Sequence, residues 1–89
     1  MKIFDWDIEK NRELQKNRKI SFEDVIIAIG EGNLLDDIIH PNKNKYSHQR
    51  IFIINYNDYA YLVPYVEDEK SIFLKTIIPS RKMTKKYLR

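Results

Sequence analysis

Seven side chains in the second half of this 89-residue chain suit the chemistry of a phosphodiester. Arginine binds two phosphate oxygens with its planar fork and keeps its charge, while histidine exchanges protons near neutral pH. RNA cleavage without a metal needs little more. The adjacent 2′-hydroxyl is the nucleophile, and the protein has only to move protons and stabilise the developing charge. The candidates for this chemistry are His48, Arg50 and Arg81, and the candidates for RNA binding are Lys82, Thr84, Lys85 and Lys86.

Each of these residues also has a structural explanation. His48 lies in a polar stretch before an apolar segment, where an exposed loop histidine is common. Arg50 opens a predicted strand and can simply pair with Asp36 or Asp37. The lysines suit a solvated helix face as well as contacts to a phosphate backbone. Both interpretations stay open at this point.

The composition excludes several other kinds of site. The chain has no cysteine, which excludes disulfides, thiolate zinc sites, iron–sulfur clusters and a cysteine nucleophile. Its two histidines, His40 and His48, lack the spacing of zinc ligands, and two glycines are too few for a phosphate-binding loop. We therefore expect no metal and no cofactor.

Positive charge is concentrated in the last part of the chain. The net charge is +3, and residues 75–89 contain six Lys or Arg and no acidic residue. Such a segment is typical of a protein that binds a polyanion, although it is also typical of a solvated tail. No apolar run approaches the ~20 residues of a membrane span, and no long apolar segment follows the N-terminal residues. We expect a cytoplasmic protein with no membrane contact.

Hydrophobic periodicity predicts the elements that must position these residues. A brief strand over residues 2–4 precedes a helix that Asp7 caps and that runs to about Lys19. Ser21 and Asp24 have the spacing of a capping box for a second helix, which Gly30 and Gly32 end. The buried stripe of that helix has the spacing i, i+3, i+4, i+7 and consists of Phe22, Val25, Ile26 and Ile29.

The second half reads as a β-meander followed by a short basic helix. Strands are predicted over 34–39, 50–56, 59–66 and 71–78, and a helix over 81–88 that Ser80 caps. Asn57-Asp58 suits a two-residue hairpin turn, because both residues tolerate positive φ. Pro64 cannot donate to a ladder and marks a bulge or an unpaired position. This order predicts one small α+β domain over residues 1–89, with N-terminal helices packed on an antiparallel sheet.

Three segments, in order along the chain, resemble one protein family. The first, Phe4-Asp5-Trp6-Asp7-Ile8-Glu9-Lys10-Asn11 with the later Ile20-Ser21-Phe22-Glu23-Asp24, is similar to F-x-W-D-x-x-K-N … G-I-S-F-E-E of the BrnT family of bacterial toxins. The second, Gln49-Arg50-Ile51-Phe52-Ile53-Ile54, lies where that family has a strand opened by E-x-R. The third, Ile77-Ile78-Pro79-Ser80-Arg81-Lys82-Met83-Thr84, is similar to its I-I-S-A-R-K-A-T. His48 and Tyr87 each stand where the family has a glutamate.

The resemblance implies a RelE-like fold and a metal-independent endoribonuclease that inhibits translation, the toxin of a type II toxin–antitoxin pair. It also implies a BrnA-like antitoxin as partner, with DNA bound only through the antitoxin complex. A homodimer and a heterotetramer with the antitoxin both stay open. Arg50 and Arg81 match positions that hold phosphate in the family, so we expect their guanidinium groups to converge on one anion-binding cradle. The alternative is a non-catalytic module that binds nucleic acid or protein through its basic C-terminal segment.

Overall fold

The fold consists of three helices and a six-stranded sheet, as described by a computed structural model over residues 2–89. In chain order the elements are β1 (Ile3–Trp6), α1 (Ile8–Arg18), α2 (Phe22–Gly30), β2 (Leu34–Ile39), β3 (Gln49–Tyr56), β4 (Tyr59–Glu67), β5 (Ser71–Leu74), β6 (Ile78–Pro79) and α3 (Arg81–Leu88).

The sheet is mixed, with the strand order β1-β5-β4-β3-β2 and β6 paired with β4 beside β5. Strands β2 to β5 form the predicted antiparallel meander, whereas β1 runs parallel to β5. The expectation of an antiparallel sheet was therefore wrong at one edge. The two helices between β1 and β2 carry the chain across one face of the sheet, and this crossover allows β1 to pair with a strand from the other end of the sequence.

The predicted helix boundaries are confirmed. Asp7 accepts a hydrogen bond from the Lys10 backbone and begins α1, which ends at Lys19 in the left-handed conformation (φ 59°). Ser21 and Asp24 form the complete capping box of α2. The side chains of these caps thus each satisfy one of the free N–H groups at a helix start and fix the residue at which the helix begins.

The predicted strand over residues 71–78 is two strands, β5 and β6. The Pro64 carbonyl accepts from the Lys75 N–H at 2.8 Å, so the edge of Pro64 that lacks an N–H faces the segment between β5 and β6. A continuous strand over residues 71–78 would have placed a carbonyl group opposite Pro64, which has no N–H to donate. The hairpin turn at Asn57 and Asp58 is confirmed, with φ values of 53° and 62°.

Two apolar clusters lie on opposite faces of the sheet. The larger packs α1 and α2 against one face of β3 and β4, and Phe52 and Tyr65 belong to it. The smaller packs α3 against the other face, through Ile51, Ile53 and Ala60. Strand β3 is therefore covered on both sides, as its unbroken apolar run predicts. No helix in residues 2–89 combines the length and apolar character needed to cross a membrane.

Candidate nucleic-acid interface

Helix α3 begins at a fixed point on the sheet. The Ser80 hydroxyl accepts from the Met83 N–H at 3.1 Å and caps the helix, while the Ser80 N–H donates to the Ala60 carbonyl at 2.9 Å. Ile78 and Pro79, directly before Ser80, form β6 and pair with β4. The chain therefore enters α3 from the sheet itself, and the cap compensates for a first turn with no acidic residue.

One side of α3 is buried against β3 and β4. Met83, Tyr87 and Leu88 pack on the smaller apolar cluster. Thr84 lies among them with 4% of its surface exposed, and its hydroxyl accepts from the Ala60 N–H and donates to the Ser80 carbonyl, both at 2.8 Å. Because both hydrogen bonds of this hydroxyl lie within the fold, Thr84 anchors the helix and is not placed to bind RNA as the sequence suggested.

The opposite side of α3 carries only cations, and we call it the basic face. At 3.6 residues per turn these residues occupy an arc of about 140°. All are exposed, and they are Arg81, Lys82, Lys85, Lys86 and Arg89. Arg89 lies 3.4 Å from Asp58, and the other four have no ion-pair partner among residues 2–89. Their charges are therefore available to an anion from solvent.

A carboxylate–tyrosine pair holds the end of α3 to the sheet edge. The Tyr87 hydroxyl donates to the Asp36 carboxylate of β2 at 2.5 Å. This hydrogen bond, followed by one from the Asp37 backbone, lowers the pKa of Asp36, and the Lys86 charge lowers it further. The same hydrogen bond raises the pKa of Tyr87. Sequence reasoning missed this pair because its members are 51 residues apart.

Arg50 is held by a second carboxylate–tyrosine pair. Its Nε lies 3.2 Å from the Asp37 carboxylate and 3.3 Å from the Tyr65 hydroxyl, and its Nη2 donates to the Asp37 carbonyl at 3.1 Å. The Tyr65 hydroxyl donates to the same carboxylate at 2.7 Å. Burial, together with the hydrogen bond to Asp37, raises the pKa of Tyr65 to about 12. The pairing with Asp37 that the sequence left open is thus present.

Arg50 and Arg81 do not converge. Arg50 has the same side-chain direction as Phe52, towards α1 and α2, whereas Arg81 begins the helix on the other face. They are also separated along β4, because Arg50 pairs with Tyr65 and the cap of α3 binds Ala60, a span of about 16 Å. The expected common cradle is therefore not formed.

His48 belongs to the Arg50 end of the sheet. It is exposed in the β2–β3 loop, directly before β3 begins at Gln49, which pairs with Val66. The structure therefore does not bring His48 to Arg81 or to the basic face. Residues 2–89 contain no cluster of three or more His, Asp or Glu that would hold a metal ion.

No protein-family model, curated protein or solved structure matches this chain. Within residues 2–89, the basic face presents four exposed cations that have no ion-pair partner.

Proposed function

We propose that this protein binds RNA through the basic face of α3. The observation that carries the proposal is the separation of the two sides of this helix. Apolar contacts and the buried Thr84 hydroxyl fix one side, and the other presents five exposed cations and no carboxylate. Because the helix is anchored before RNA arrives, little backbone entropy is lost on binding, and the entropic cost is that of the exposed side chains. Lys82, Lys85 and Lys86 contact the phosphate backbone and Arg81 takes a bidentate phosphate.

The resemblance to the BrnT family favours cleavage of the bound RNA as a second candidate function. The third of the three segments that resemble this family, residues 77–84, builds β6 and the start of the basic face. In this proposal the chain is a cytoplasmic toxin with a RelE-like fold and a BrnA-like antitoxin as partner. Arg81 stabilises the transition-state charge with the neighbouring lysines, without Arg50, which lies on the opposite face.

The contacts that Arg50 makes within the fold favour RNA binding without RNA cleavage. Its guanidinium already contacts the Asp37 carboxylate and the Tyr65 hydroxyl, and the hydrogen bond with Tyr65, followed by the Asp37 charge, raises the pKa of Arg50. Arg50 would have to give up these contacts to bind a phosphate through its Nε and Nη2 atoms. A non-catalytic module needs only the basic face.

One experiment separates the two functions. Purified protein is incubated with single-stranded RNA in EDTA, and the products are analysed for fragments that end in a 2′,3′-cyclic phosphate. Cleavage that Arg81→Ala abolishes, with growth inhibition lost in cells, supports the toxin. Arg12→Ala on α1 is the matched control, because Arg12 is exposed and the charge change is the same.

Binding without cleavage supports the non-catalytic module, provided that it weakens steeply with salt. Absence of salt-sensitive RNA binding in the wild type contradicts both functions. Equal affinity for duplex DNA of the same length shows that the basic face recognises polyanions in general and refutes the specificity for RNA.

A further inference from the structure

Tyr59 and Tyr61 form an aromatic pair at the hairpin end of β4. Their rings meet edge to face, with centroids 5.8 Å apart. Tyr65 and Tyr87 each donate their hydroxyl to a carboxylate and so have a structural role. The hydroxyls of Tyr59 and Tyr61 make no hydrogen bond within residues 2–89, and both side chains are partly exposed. These two rings are therefore free to contact a ligand.

Tyr61 lies between Tyr59 and the core. It packs against the larger apolar cluster, and its ring also meets that of Tyr56, with centroids 5.9 Å apart. Tyr59 packs on neither cluster, and within residues 2–89 its ring has Tyr61 as its one aromatic neighbour. An edge-to-face contact covers at most one face of a ring. Tyr59 thus keeps one ring face without an aromatic neighbour, while the core fixes Tyr61 behind it.

Tyr59 lies beside the first turn of α3. Tyr61 pairs with Pro79, and the Ala60 carbonyl accepts from the Ser80 N–H at 2.9 Å. Tyr59 and Arg81 are the next residues on the two segments, so one pair spacing and two Cα steps keep their Cα atoms within about 13 Å. The Tyr59 ring lies on the α1 and α2 side of the sheet and α3 lies on the other. The two meet at the sheet edge, because β6 ends at Pro79.

We infer that Tyr59 stacks on an unpaired base of the RNA whose phosphates the basic face binds. This inference rests on the proposed binding of RNA by α3 and adds the class of RNA. A single strand exposes the faces of its bases, whereas neighbouring base pairs cover them in a duplex, so a stacking tyrosine selects single-stranded RNA. Because every base has a π-face, the contact is tolerant of sequence. Tyr61 positions the Tyr59 ring and needs no contact with the RNA.

The charges near this edge allow a polyanion to cross it. The Arg18 guanidinium of α1 donates to the Ile77 carbonyl, and Arg18 has no ion-pair partner among residues 2–89. Asp58 is the carboxylate next to Tyr59 in the sequence, and it lies 3.4 Å from Arg89. Its negative charge is thus countered by a cation of α3, and an RNA strand that leaves the basic face meets little repulsion at Tyr59.

The test compares two 2′-O-methyl oligonucleotides of equal length by fluorescence anisotropy, one with bases and one made of abasic units. Both carry the same phosphates, so the slope of log K against log salt should be the same for both. We expect the wild type to bind the strand with bases about fivefold more tightly or better, the gain of one stacked base. Equal affinity with salt-dependent binding overturns stacking and leaves the basic face intact. Absence of salt-dependent binding refutes RNA binding by α3, and the inference with it.

Three variants assign the preference to the Tyr59 ring. Tyr59→Leu should bind the two strands alike, with the salt slope unchanged, whereas Tyr59→Phe keeps the ring and should keep the preference. Tyr46→Leu is the matched control, because it removes a partly exposed ring from the β2–β3 loop. A preference that survives in Tyr59→Leu, or is lost equally in Tyr46→Leu, overturns the assignment. Urea unfolding shows whether each variant is folded, and the comparison of the two strands on the wild type decides the matter even where Tyr59→Leu does not fold.

Discussion

Replacing the three lysines of the basic face should remove most of the salt dependence of RNA binding. The variant is Lys82→Gln, Lys85→Gln and Lys86→Gln. All three side chains are exposed, and glutamine is a good helix former, so α3 and its contacts with the sheet should persist. Only Arg81 then remains as an unpaired cation on the helix, because Arg89 lies 3.4 Å from the Asp58 carboxylate.

The expected size follows from counterion release. Each phosphate neutralised on single-stranded nucleic acid contributes about −0.7 to the slope of log K against log salt. Four contacts give a slope of about −2.8, and affinity then falls about 50-fold between ~50 and ~200 mM salt. With Arg81 alone the slope is about −0.7 and the loss over the same range is about threefold.

The assay is fluorescence anisotropy of a labelled 2′-O-methyl RNA oligonucleotide, which lacks the internal nucleophile and so reports binding without cleavage. The matched control is Lys16→Gln, Lys43→Gln and Lys70→Gln, three exposed lysines outside α3. Both triple variants lower the formal net charge from +3 to 0. If the control loses as much salt dependence as the α3 variant, net charge alone explains binding and the basic face is not the interface. An unchanged slope in the α3 variant leads to the same rejection.

The remaining predictions concern the contacts that hold α3 and the hairpin. Thr84→Val leaves the Ala60 N–H without an acceptor and should cost about 1–3 kcal/mol in urea unfolding, with the RNA salt slope unchanged. Tyr87→Phe removes the hydrogen bond that lowers the pKa of Asp36. A carboxyl group whose pKa is lower in the folded than in the unfolded state stabilises the fold at pH values above its unfolded-state pKa. The wild type should therefore have a higher urea midpoint than Tyr87→Phe above about pH 4, and this difference should fade as the pH falls through the folded-state pKa of Asp36. An advantage that is constant with pH contradicts this. Asp58→Gly should raise the urea midpoint, with a gain in the free energy of unfolding of up to about 1 kcal/mol, because glycine adopts the φ of 62° without steric cost. A lower midpoint would show that the side chain of Asp58 contributes more than its backbone strain removes.

The elements that sequence reasoning predicted are those with local causes. Asp7, Ser21 and Ser80 each cap the helix predicted for them, since a cap depends on a side chain and a backbone N–H three residues later. The hairpin turn is equally local, because two consecutive residues adopt positive φ. The α+β class followed from the order of these elements.

The features that sequence reasoning missed depend on contacts between distant segments. Nothing in residues 3–6 indicates that β1 pairs in parallel with β5, because that register involves a partner 68 residues later (Ile3 with Ser71). The division of the last predicted strand depends on Pro64 in a different strand. The Asp36–Tyr87 pair likewise exists only because α3 crosses the sheet to its β2 edge.

The position of Arg50 illustrates why the candidate catalytic group could not be assembled from sequence. The alternation of side chains along β3 puts Arg50 and Phe52 on one face and Ile51 and Ile53 on the other. Both faces are apolar, so the pattern does not tell which of them receives α3. That choice is made by the Thr84 hydroxyl on the Ala60 N–H and by the apolar side of α3 against Ile51 and Ile53. Once α3 takes that face, Arg50 lies on the opposite one and binds the Asp37 carboxylate. The contacts that bury one side of α3 thus create the basic face and, at the same time, remove Arg50 from it.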